Sequence, residues 1–235
     1  MLRSVFMVTA SVIITAFIST CCVIFSLLGA SENSIHKVAR IWATMLLKIT
    51  NVQVSVLGTE YISTERPQIF MSNHQSDFDI FIVLAYLPVQ FRWLAKKELF
   101  RIPVFGKAMK NAGYIEIDRQ NHERAMQNLA EASRKIREGK SVMSFPEGTR
   151  SVDGTIKAFK KGMFHLALKA GVPIVPITII GTSEIMPKRS LKINPGRITM
   201  IIDRPIDVTA YSEDSRSELT ERVRSVIMKN FHAGR

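Results

Sequence analysis

Residues 68–79 of this chain have the sequence QIFMSNHQSDFD, in which an apolar run gives way to a cluster of polar side chains. The apolar part, residues 68–72, has the length and composition of a buried β-strand. The polar part contains His74 and Asp79, and a helical pattern follows over residues 76–87. Because α/β proteins place functional residues where a strand ends, we expect this segment to lie at the functional site.

A second segment of the same kind is found at residues 141–151, with the sequence SVMSFPEGTRS. Its first half predicts another buried strand. Its second half carries a carboxylate, a glycine, a hydroxyl and a guanidinium in four consecutive positions, from Glu147 to Arg150. A polar cluster that directly follows a strand is again typical of a site in an α/β fold.

The rest of the sequence alternates between strand and helix patterns. The predicted strands lie at residues 52–56, 68–72, 91–95, 113–117, 141–145, 173–180 and 197–202, and the predicted helices at 76–87, 121–139, 159–170 and from 215 onward. This alternation predicts an α/β fold with a largely parallel central sheet flanked by helices. Since no internal repeat or long linker interrupts it, we expect one α/β domain over residues 51–235.

The first part of the chain, residues 1–50, predicts a membrane-anchoring helical segment. Residues 4–31 carry no charged side chain, and as a helix they would extend about 42 Å, more than the roughly 30 Å hydrocarbon core of a bilayer. A cleaved signal peptide is the alternative, but its apolar region is normally only about 7–15 residues long. The first helix is expected either to span the bilayer or to form a hairpin in one leaflet with the helix that follows.

That following helix, residues 35–49, has an amphipathic pattern. Apolar side chains such as Ile35 and Leu46 share one face, while Lys37, Arg40 and Lys48 lie on the other. The helix is expected either to lie in the membrane interface or to pack against the globular core. Cations that follow an apolar run place the body of the protein on the cytoplasmic side.

The composition narrows the classes of partner and of site. Lys plus Arg is 32 and Asp plus Glu is 20, so the formal net charge is +12, which suits nucleic acid, an anionic membrane or phosphorylated substrates. The only cysteines, Cys21 and Cys22, are adjacent, so no disulfide framework is expected and a reducing compartment is favoured. The five histidines do not cluster with cysteines, and we therefore expect no metal site.

His74 is the natural general base, because an imidazole with an ordinary pKa of about 6.5 both accepts and donates protons near neutral pH. Asp79 can orient the ring and stabilise the imidazolium if His74 occupies the turn between strand and helix. The residues alone leave two alternatives open. Ser76 and Asp79 also form the pattern of a helix capping box, and Asp77 could act as the cap or as the partner of the histidine.

Taken together, these segments resemble the glycerolipid acyltransferases. The His-x-x-x-x-Asp motif of that family matches residues 74–79, and its second motif, a strand that ends in an arginine, matches residues 113–119. Its Phe-Pro-Glu-Gly-Thr-Arg-Ser motif matches residues 145–151 without a change, and an apolar-proline motif matches residues 174–177. The four motifs occur in family order and cover about residues 50–205.

The resemblance implies a role for each matched residue. His74 would deprotonate a glycerol hydroxyl, which attacks the thioester of an acyl carrier, while Asp79 orients His74. Arg119 and Arg150 would bind phosphate, since a guanidinium forms two parallel hydrogen bonds with it; surface ion pairs with Asp118 or Glu147 are the alternative.

The other matched residues complete the predicted site. Glu147 is expected to accept a hydrogen bond from the glycerol hydroxyl or to orient an arginine. Gly148 is expected to adopt a backbone conformation barred to other residues, and Thr149 to belong to the same substrate-binding loop. Lys97, or backbone amides near it, is a candidate for stabilising the oxyanion; a solvated lysine is the alternative.

The implied reaction acylates 1-acyl-sn-glycerol-3-phosphate (lysophosphatidic acid) to phosphatidic acid in phospholipid biosynthesis. The acyl donor would be a thioester of acyl carrier protein or of coenzyme A, with no cofactor and no metal. The expected location is the cell (inner) membrane. A family member that acts on another lysophospholipid or on a lyso-ornithine lipid is the nearest alternative. A membrane-tethered nucleic-acid-binding protein is disfavoured, because the chain lacks a recognition module.

Overall fold

A computed structural model describes residues 2–118 and 121–234. The helices are α1 (Leu2–Leu27), α2 (Glu32–Ile49), α3 (Phe78–Tyr86), α4 (Lys97–Phe100), α5 (Phe105–Asn111), α6 (His122–Arg137), α7 (Gly162–Ala170), α8 (Thr182–Ile185) and α9 (Arg216–Ala233). The strands are β1 (Val52–Leu57), β2 (Ile69–Ser72), β3 (Phe91–Lys96), β4 (Ile115–Ile117), β5 (Ser141–Ser144), β6 (Ile174–Ile180) and β7 (Gly196–Ile202). A single 3₁₀ turn, Thr59–Tyr61, follows β1.

Within the described residues the strands form one sheet in the order β1-β7-β6-β2-β5-β3-β4. Neighbouring strands are parallel, except that β7 runs antiparallel to β6. Every residue of the central strands β2, β5 and β6 is buried, as expected for a parallel sheet covered on both faces. The prediction of a largely parallel sheet flanked by helices is confirmed.

The two faces of the sheet support separate apolar cores. Successive side chains of a strand point to opposite faces, so Phe70 packs with α2, α3 and α5 while Ile69 packs with α6, α7 and α9. α1 lies outside these layers and packs against α2 and α5. The sheet is therefore a rigid, doubly covered platform whose strand ends carry the polar motifs.

α1 leaves most of its apolar surface exposed. Its buried residues are Met7, Ser19 and Cys22, whereas Phe6 and Phe17 are 70% and 66% exposed. Among the described helices it is the one that is long and apolar enough to cross a membrane. A helix that buries so little of its apolar surface within the protein has the properties of a membrane-associating element.

The packing of α2 decides between the two positions predicted for it, in the membrane interface or against the globular core. Its apolar residues Ile35, Ala43 and Leu47 belong to the core shared with α3 and the sheet, so this face packs against the globular body. Ile41 and Met45, which the periodicity places on the same face, are instead exposed. The domain boundary at residue 50 stays a prediction, because α2 on one side of it shares a core with the elements on the other.

A partly buried ionic cluster fixes the start of α2. The Arg92 side chain in β3 is fully buried, and it donates hydrogen bonds to Glu32 Oε2 at 3.3 Å and to Asn33 Oδ1 at 2.6 Å. Lys135 of α6 donates to Glu32 Oε1 at 3.0 Å. Glu32 therefore joins the α1–α2 pair to both a strand and a helix of the main body.

Several predicted boundaries differ from the observed ones. The helix predicted from residue 159 begins at Gly162, and the helix predicted from residue 76 begins at Phe78, because residues 73–77 form the turn that carries the first motif. The strand predicted from residue 113 begins at Ile115. The short helices α4, α5 and α8 were not predicted, since a pattern of one or two turns has too few residues to show a helical period.

Candidate active site

The carboxyl ends of β2, β5, β3 and β4 lie next to one another along one edge of the sheet. Each predicted site residue follows one of these strands. His74 follows β2, the segment Glu147 to Arg150 follows β5, and Lys97 follows β3. Arg119, which follows β4, lies outside the described residues. The topology thus gathers segments that are far apart in the sequence.

His74 and Asp79 are in direct contact. Nδ1 of His74 lies 2.8 Å from Oδ2 of Asp79, whose side chain is fully buried. A carboxylate oxygen only accepts hydrogen bonds, so the ring donates from Nδ1, and Nε2 of the neutral imidazole carries the lone pair. No hydrogen bond from the described residues occupies Nε2, which leaves this nitrogen free to take a proton.

The turn between β2 and α3 explains how Asp79 reaches back to the histidine. Oδ2 of Asp79 also accepts the backbone N–H groups of Gln75 at 2.7 Å and Ser76 at 2.8 Å. Asp79 therefore orients His74 and satisfies amides at the start of α3 at the same time. Asp79 is thus both the partner of His74 and the acceptor for Ser76 N–H that a capping box requires. Asp77 is not the partner of the histidine.

The segment after β5 holds the His74 ring and backbone in place. The ring stacks on Phe145, with centroids 4.0 Å apart and planes 8° from parallel. The His74 carbonyl accepts the Ser151 N–H at 2.9 Å. Because the side chain is only 13% exposed, the imidazole is confined to one orientation at the edge of the sheet.

Glu147 binds two backbone amide groups. Its side chain is buried; Oε1 accepts the backbone N–H of His74 at 2.7 Å and Oε2 accepts that of Lys157 at 2.9 Å. Burial raises the pKa of this carboxyl, although the two backbone N–H groups oppose the shift. Both oxygens are engaged within the protein. The geometry therefore gives Glu147 a positioning role, in which it holds the backbone of His74, and its predicted contact with a hydroxyl or an arginine stays a prediction.

Arg150 forms an ion pair that the sequence did not predict. Its Nη1 donates to Oδ2 of Asp77, two residues from the partner of His74, and not to Asp118 or Glu147. The pair is partly exposed, with 29% of the Arg150 side chain accessible. The guanidinium therefore lies at the surface beside the His74 turn. Its role as a phosphate ligand stays a prediction.

Gly148 and Thr149 form the tip of the loop that carries Arg150. Gly148 has a φ of +72°, and a Cβ atom there would lie 2.9 Å from Cε of Lys160, so the predicted need for a glycine backbone is confirmed. Thr149 is exposed, and its Oγ1 accepts a hydrogen bond from Nζ of Lys188 at 3.3 Å. Contact of either residue with substrate stays a prediction.

Lys97 forms a partly buried ion pair. Its Nζ donates to Oδ2 of Asp118 at 2.5 Å, and its side chain is 17% exposed, so it is not the solvated lysine of the alternative reading. β3 is two strands away from β2, which separates the backbones of Lys97 and His74 by roughly 10 Å. The role of Lys97 in stabilising the oxyanion stays a prediction.

Two residues of the site were missed by the sequence analysis. Phe145 was matched to a strand end and to the first position of a motif but was given no role, although an aromatic residue there can serve as a stacking surface. Lys188 was passed over because it follows α8, outside every motif. Its Nζ donates to the Arg150 carbonyl at 2.7 Å, a contact that only the tertiary fold creates.

An apolar cavity of about 540 Å³ opens next to the site. It lies between α1, the start of α3, the α4–α5 connection and the loop after α8, and Asp77 is its charged lining residue. Its lining also includes Val8, Val12, Phe78, Phe81, Val104, Met186, Leu191 and Ile193. The ion pair of Asp77 with Arg150 therefore connects the polar edge of the sheet with an apolar volume.

The described residues contain no group of three or more His, Cys, Asp or Glu side chains placed to hold a metal ion. The polar chemistry of the site therefore consists of one imidazole, several carboxylates and several cations.

Comparison with known proteins gives a consistent result. The Acyltransferase family model matches residues 53–180. A chloroplastic 1-acyl-sn-glycerol-3-phosphate acyltransferase of Arabidopsis thaliana is 36% identical over 191 residues, which are 79% of this chain and 53% of that protein. The alpha form of the Bos taurus enzyme of the same name is 31% identical over 83% of this chain and 68% of its own length. The chain thus spans about half the length of the plant relative.

The crystal structure of the 1-acyl-sn-glycerophosphate acyltransferase PlsC of Thermotoga maritima is similar over nearly the whole chain. The TM-score is 0.84 and the sequence identity 28%, with 97% of this chain and 93% of that one covered. The family model covers more than half of the chain and includes the strand ends that carry His74 and Arg150. This chain belongs to the acyltransferase family.

Proposed function

We propose that this protein transfers an acyl chain from a thioester to the free hydroxyl of 1-acyl-sn-glycerol-3-phosphate and so forms phosphatidic acid. The observation that carries the proposal is the contact of His74 Nδ1 with a buried carboxylate, which leaves Nε2 free, in a turn whose Asp77 pairs with the surface residue Arg150. The names of the relatives support the choice of acceptor. The proposed donor is a thioester of acyl carrier protein or of coenzyme A.

The chemistry follows from the orientation of the imidazole. Nε2 of His74 takes the proton of the acceptor hydroxyl as the oxygen bonds to the thioester carbonyl carbon. The tetrahedral oxyanion then collapses, the carbon–sulfur bond breaks, and the departing thiolate receives the proton from His74. Asp79 stabilises the imidazolium between these two transfers. The acyl chain passes directly from donor to acceptor, and no cofactor is required because the thioester already activates the carbonyl.

The surroundings of the base suit a lipid with a charged headgroup. Arg150 offers a fork of donors for a phosphate at the surface, and the apolar cavity next to Asp77 offers a volume for an acyl chain. α1 forms one wall of this cavity and exposes apolar side chains on its outer side. We propose that α1 anchors the protein in the inner membrane, with the sheet edge at headgroup level on the cytoplasmic side.

An acyl-transfer assay with a panel of lyso-lipid acceptors tests the proposal. The purified protein is supplied with an acyl thioester of carrier protein or of coenzyme A, and products are identified by mass spectrometry. The expected product is phosphatidic acid, formed fastest from 1-acyl-sn-glycerol-3-phosphate. Faster acylation of a lyso-ornithine lipid or of another lysophospholipid would reassign the acceptor, and no transfer to any acceptor would overturn the proposed reaction.

A further inference from the structure

A cluster of cations lies beside the motif loop and is not part of any motif. Lys188 and Arg189 follow α8, and Lys157 lies in the segment before α7. Lys157, Arg150 and Arg189 lie close enough to Lys188 for their charges to interact with its ammonium group. Three separate segments of the chain therefore contribute the four positive charges of a cluster centred on Lys188, which contacts the motif loop.

Lys188 is held against the backbone of this loop. Its Nζ donates to the Arg150 carbonyl at 2.7 Å and to Thr149 Oγ1 at 3.3 Å. The start of its own segment is tied to the first motif, because Ser76 Oγ donates to the Met186 carbonyl at 2.7 Å. An ammonium group carries three donors, so one N–H remains for a further acceptor. Lys188 is thus fixed between the loop of Arg150 and the turn of His74.

The charges in this cluster are not balanced. Asp77 pairs with Arg150, but within residues 2–118 and 121–234 no carboxylate forms an ion pair with Lys157, Lys188 or Arg189. Loss of solvent around Lys188 and repulsion from Lys157, Arg150 and Arg189 lower the pKa of its ammonium group. Mutual repulsion of this kind is relieved when an anion binds among the cations.

We infer that Lys188 is a specificity-determining residue which, with Arg150, binds the phosphate monoester of the acceptor and favours it over phosphodiester lyso-lipids. The inference rests on the proposed function and deepens it. A phosphate monoester carries a charge of about −1.5 to −2 at neutral pH, whereas a phosphodiester carries a single charge. Within the described residues the cluster has four cations and one carboxylate, Asp77, paired with them, so its excess positive charge favours the more highly charged headgroup.

The test compares two acceptors in the same detergent micelles, 1-acyl-sn-glycerol-3-phosphate and a lysophosphatidylglycerol with the same acyl chain. Lys188→Gln removes the charge but keeps a donor for Thr149 and the Arg150 carbonyl. Lys192→Gln, in the same loop, is the matched control, because Lys192 is exposed and its ammonium has no ion pair among the described residues. If the diester is not turned over, its inhibition constant replaces its KM.

We expect Lys188→Gln to raise the KM for the monoester about tenfold or more, as for the loss of a hydrogen bond to a charged group, with little change in kcat. The KM for the diester should change less than about threefold, and Lys188→Arg should restore most of the preference. Lys192→Gln should leave both KM values unchanged. Equal effects of Lys188→Gln on the two acceptors, or a fall in kcat alone, would mean that Lys188 only anchors the loop.

A second measurement needs no variant. On the unmodified protein, the ratio of the monoester KM to the diester KM should rise as the pH falls from about 8 to about 5.5, because the monoester loses its second charge near pH 6. A pH effect on catalysis that is common to both acceptors cancels in the ratio. A constant ratio would overturn the inference. Failure of the proposed function would look different, since no His74-dependent transfer to either acceptor would then occur.

Discussion

At the scale of single residues, the proposed base His74 is held by two carboxylates that bind backbone amides. Asp79 accepts hydrogen bonds from two backbone amides and from the ring of His74, and Glu147 accepts a hydrogen bond from the His74 amide. The imidazole is thus held by its ring and by its own backbone. Such double support is what a base needs if its Nε2 is to meet a hydroxyl at hydrogen-bond distance.

Glu147→Gln tests this support. The amide group of glutamine can replace only one of the two acceptor oxygens, so one N–H, of His74 or of Lys157, would face an NH₂ group. We expect the free energy of unfolding to fall by about 1–3 kcal/mol and kcat to fall with it, while the acceptor KM changes little. Thermal unfolding and steady-state kinetics measure both.

Glu138→Gln is the control for Glu147→Gln, because Glu138 forms an exposed ion pair and its loss should cost less than about 1 kcal/mol. If Glu147→Gln matched this control in stability and rate, the carboxylate would not position the base. If it raised the acceptor KM at constant kcat, the predicted contact with substrate would be correct after all.

Arg150→Lys tests the phosphate ligand. Lysine keeps the positive charge but loses the planar fork that binds phosphate with two parallel hydrogen bonds. We expect the KM for lysophosphatidic acid to rise about tenfold at saturating donor, as for the loss of one charge-assisted hydrogen bond. Arg137→Lys, at the exposed end of α6, should leave it unchanged. An unaltered acceptor dependence in Arg150→Lys would place the phosphate elsewhere.

At the scale of the elements, periodicity predicted the strands and long helices because each buries one face or is buried entirely. Strand direction is not encoded in such a pattern, so the antiparallel pairing of β7 with β6 was not foreseen. The partner of His74 was foreseen because Asp79 is only one helical turn further along the chain. Lys188 was not, because its contact with the Arg150 carbonyl joins loops that only the fold brings together.

The hydrogen bonds that attach α2 to β3 could not be predicted from the sequence. Arg92 lies within an apolar strand, and its partners Glu32 and Asn33 precede it by about sixty residues. Although burial opposes the shift, hydrogen bonds and charges from Lys135 and Arg92 lower the pKa of Glu32. Because the pKa of Glu32 is lower in the folded state, its ion pairs stabilise the fold fully above the unfolded pKa, about 4.3. This stabilisation is lost as the pH falls through the folded value.

Glu32→Gln should therefore destabilise the protein by about 1–2 kcal/mol at neutral pH. The buried Arg92 guanidinium loses its only carboxylate among the described residues, but solvent screens part of the interaction because the Glu32 side chain is 43% exposed. The difference from the unmodified protein should shrink at low pH, where Glu32 is protonated. Thermal unfolding in detergent at several pH values measures this. Glu131→Gln, at an exposed position of α6, is the control. A neutral result would show that Asn33 and Gln90 satisfy Arg92 by themselves.

At the scale of the whole molecule, the exposed apolar surface and the site lie on the same side of the domain. α1 exposes a row of large apolar residues, and Ile102, Val104 and Leu191, which are also exposed, line the cavity next to Asp77. Deleting residues 1–31 would remove the proposed anchor, but it would also remove one wall of this cavity. Substitutions on the outer face of α1 separate these two effects.

The combined variant Phe6→Asn, Ile13→Asn and Phe17→Asn changes residues that are 70%, 62% and 66% exposed, so little packing within the protein is lost. We expect weaker retention on membranes and lower activity on a bilayer substrate, with normal activity on a short-chain, monomeric acceptor. Sedimentation with vesicles and assays on both substrates measure this. Equal losses on the two substrates would mean that α1 supports folding or the site itself, and the anchor would have to be reassigned.

The central claim is that Nε2 of His74, oriented by Asp79, is the base that activates the acceptor hydroxyl. The most direct test is single-turnover acyl transfer to 1-acyl-sn-glycerol-3-phosphate, followed by mass spectrometry, in the unmodified protein and in His74→Ala. His165→Ala is the matched control, because His165 also pairs with a carboxylate, Glu213 at 2.5 Å, away from the strand ends. We predict that His74→Ala lowers the rate at least about 10²–10⁴-fold, that Asp79→Asn lowers it less, and that His165→Ala leaves it unchanged. A near-normal rate in a folded His74→Ala protein would contradict the account.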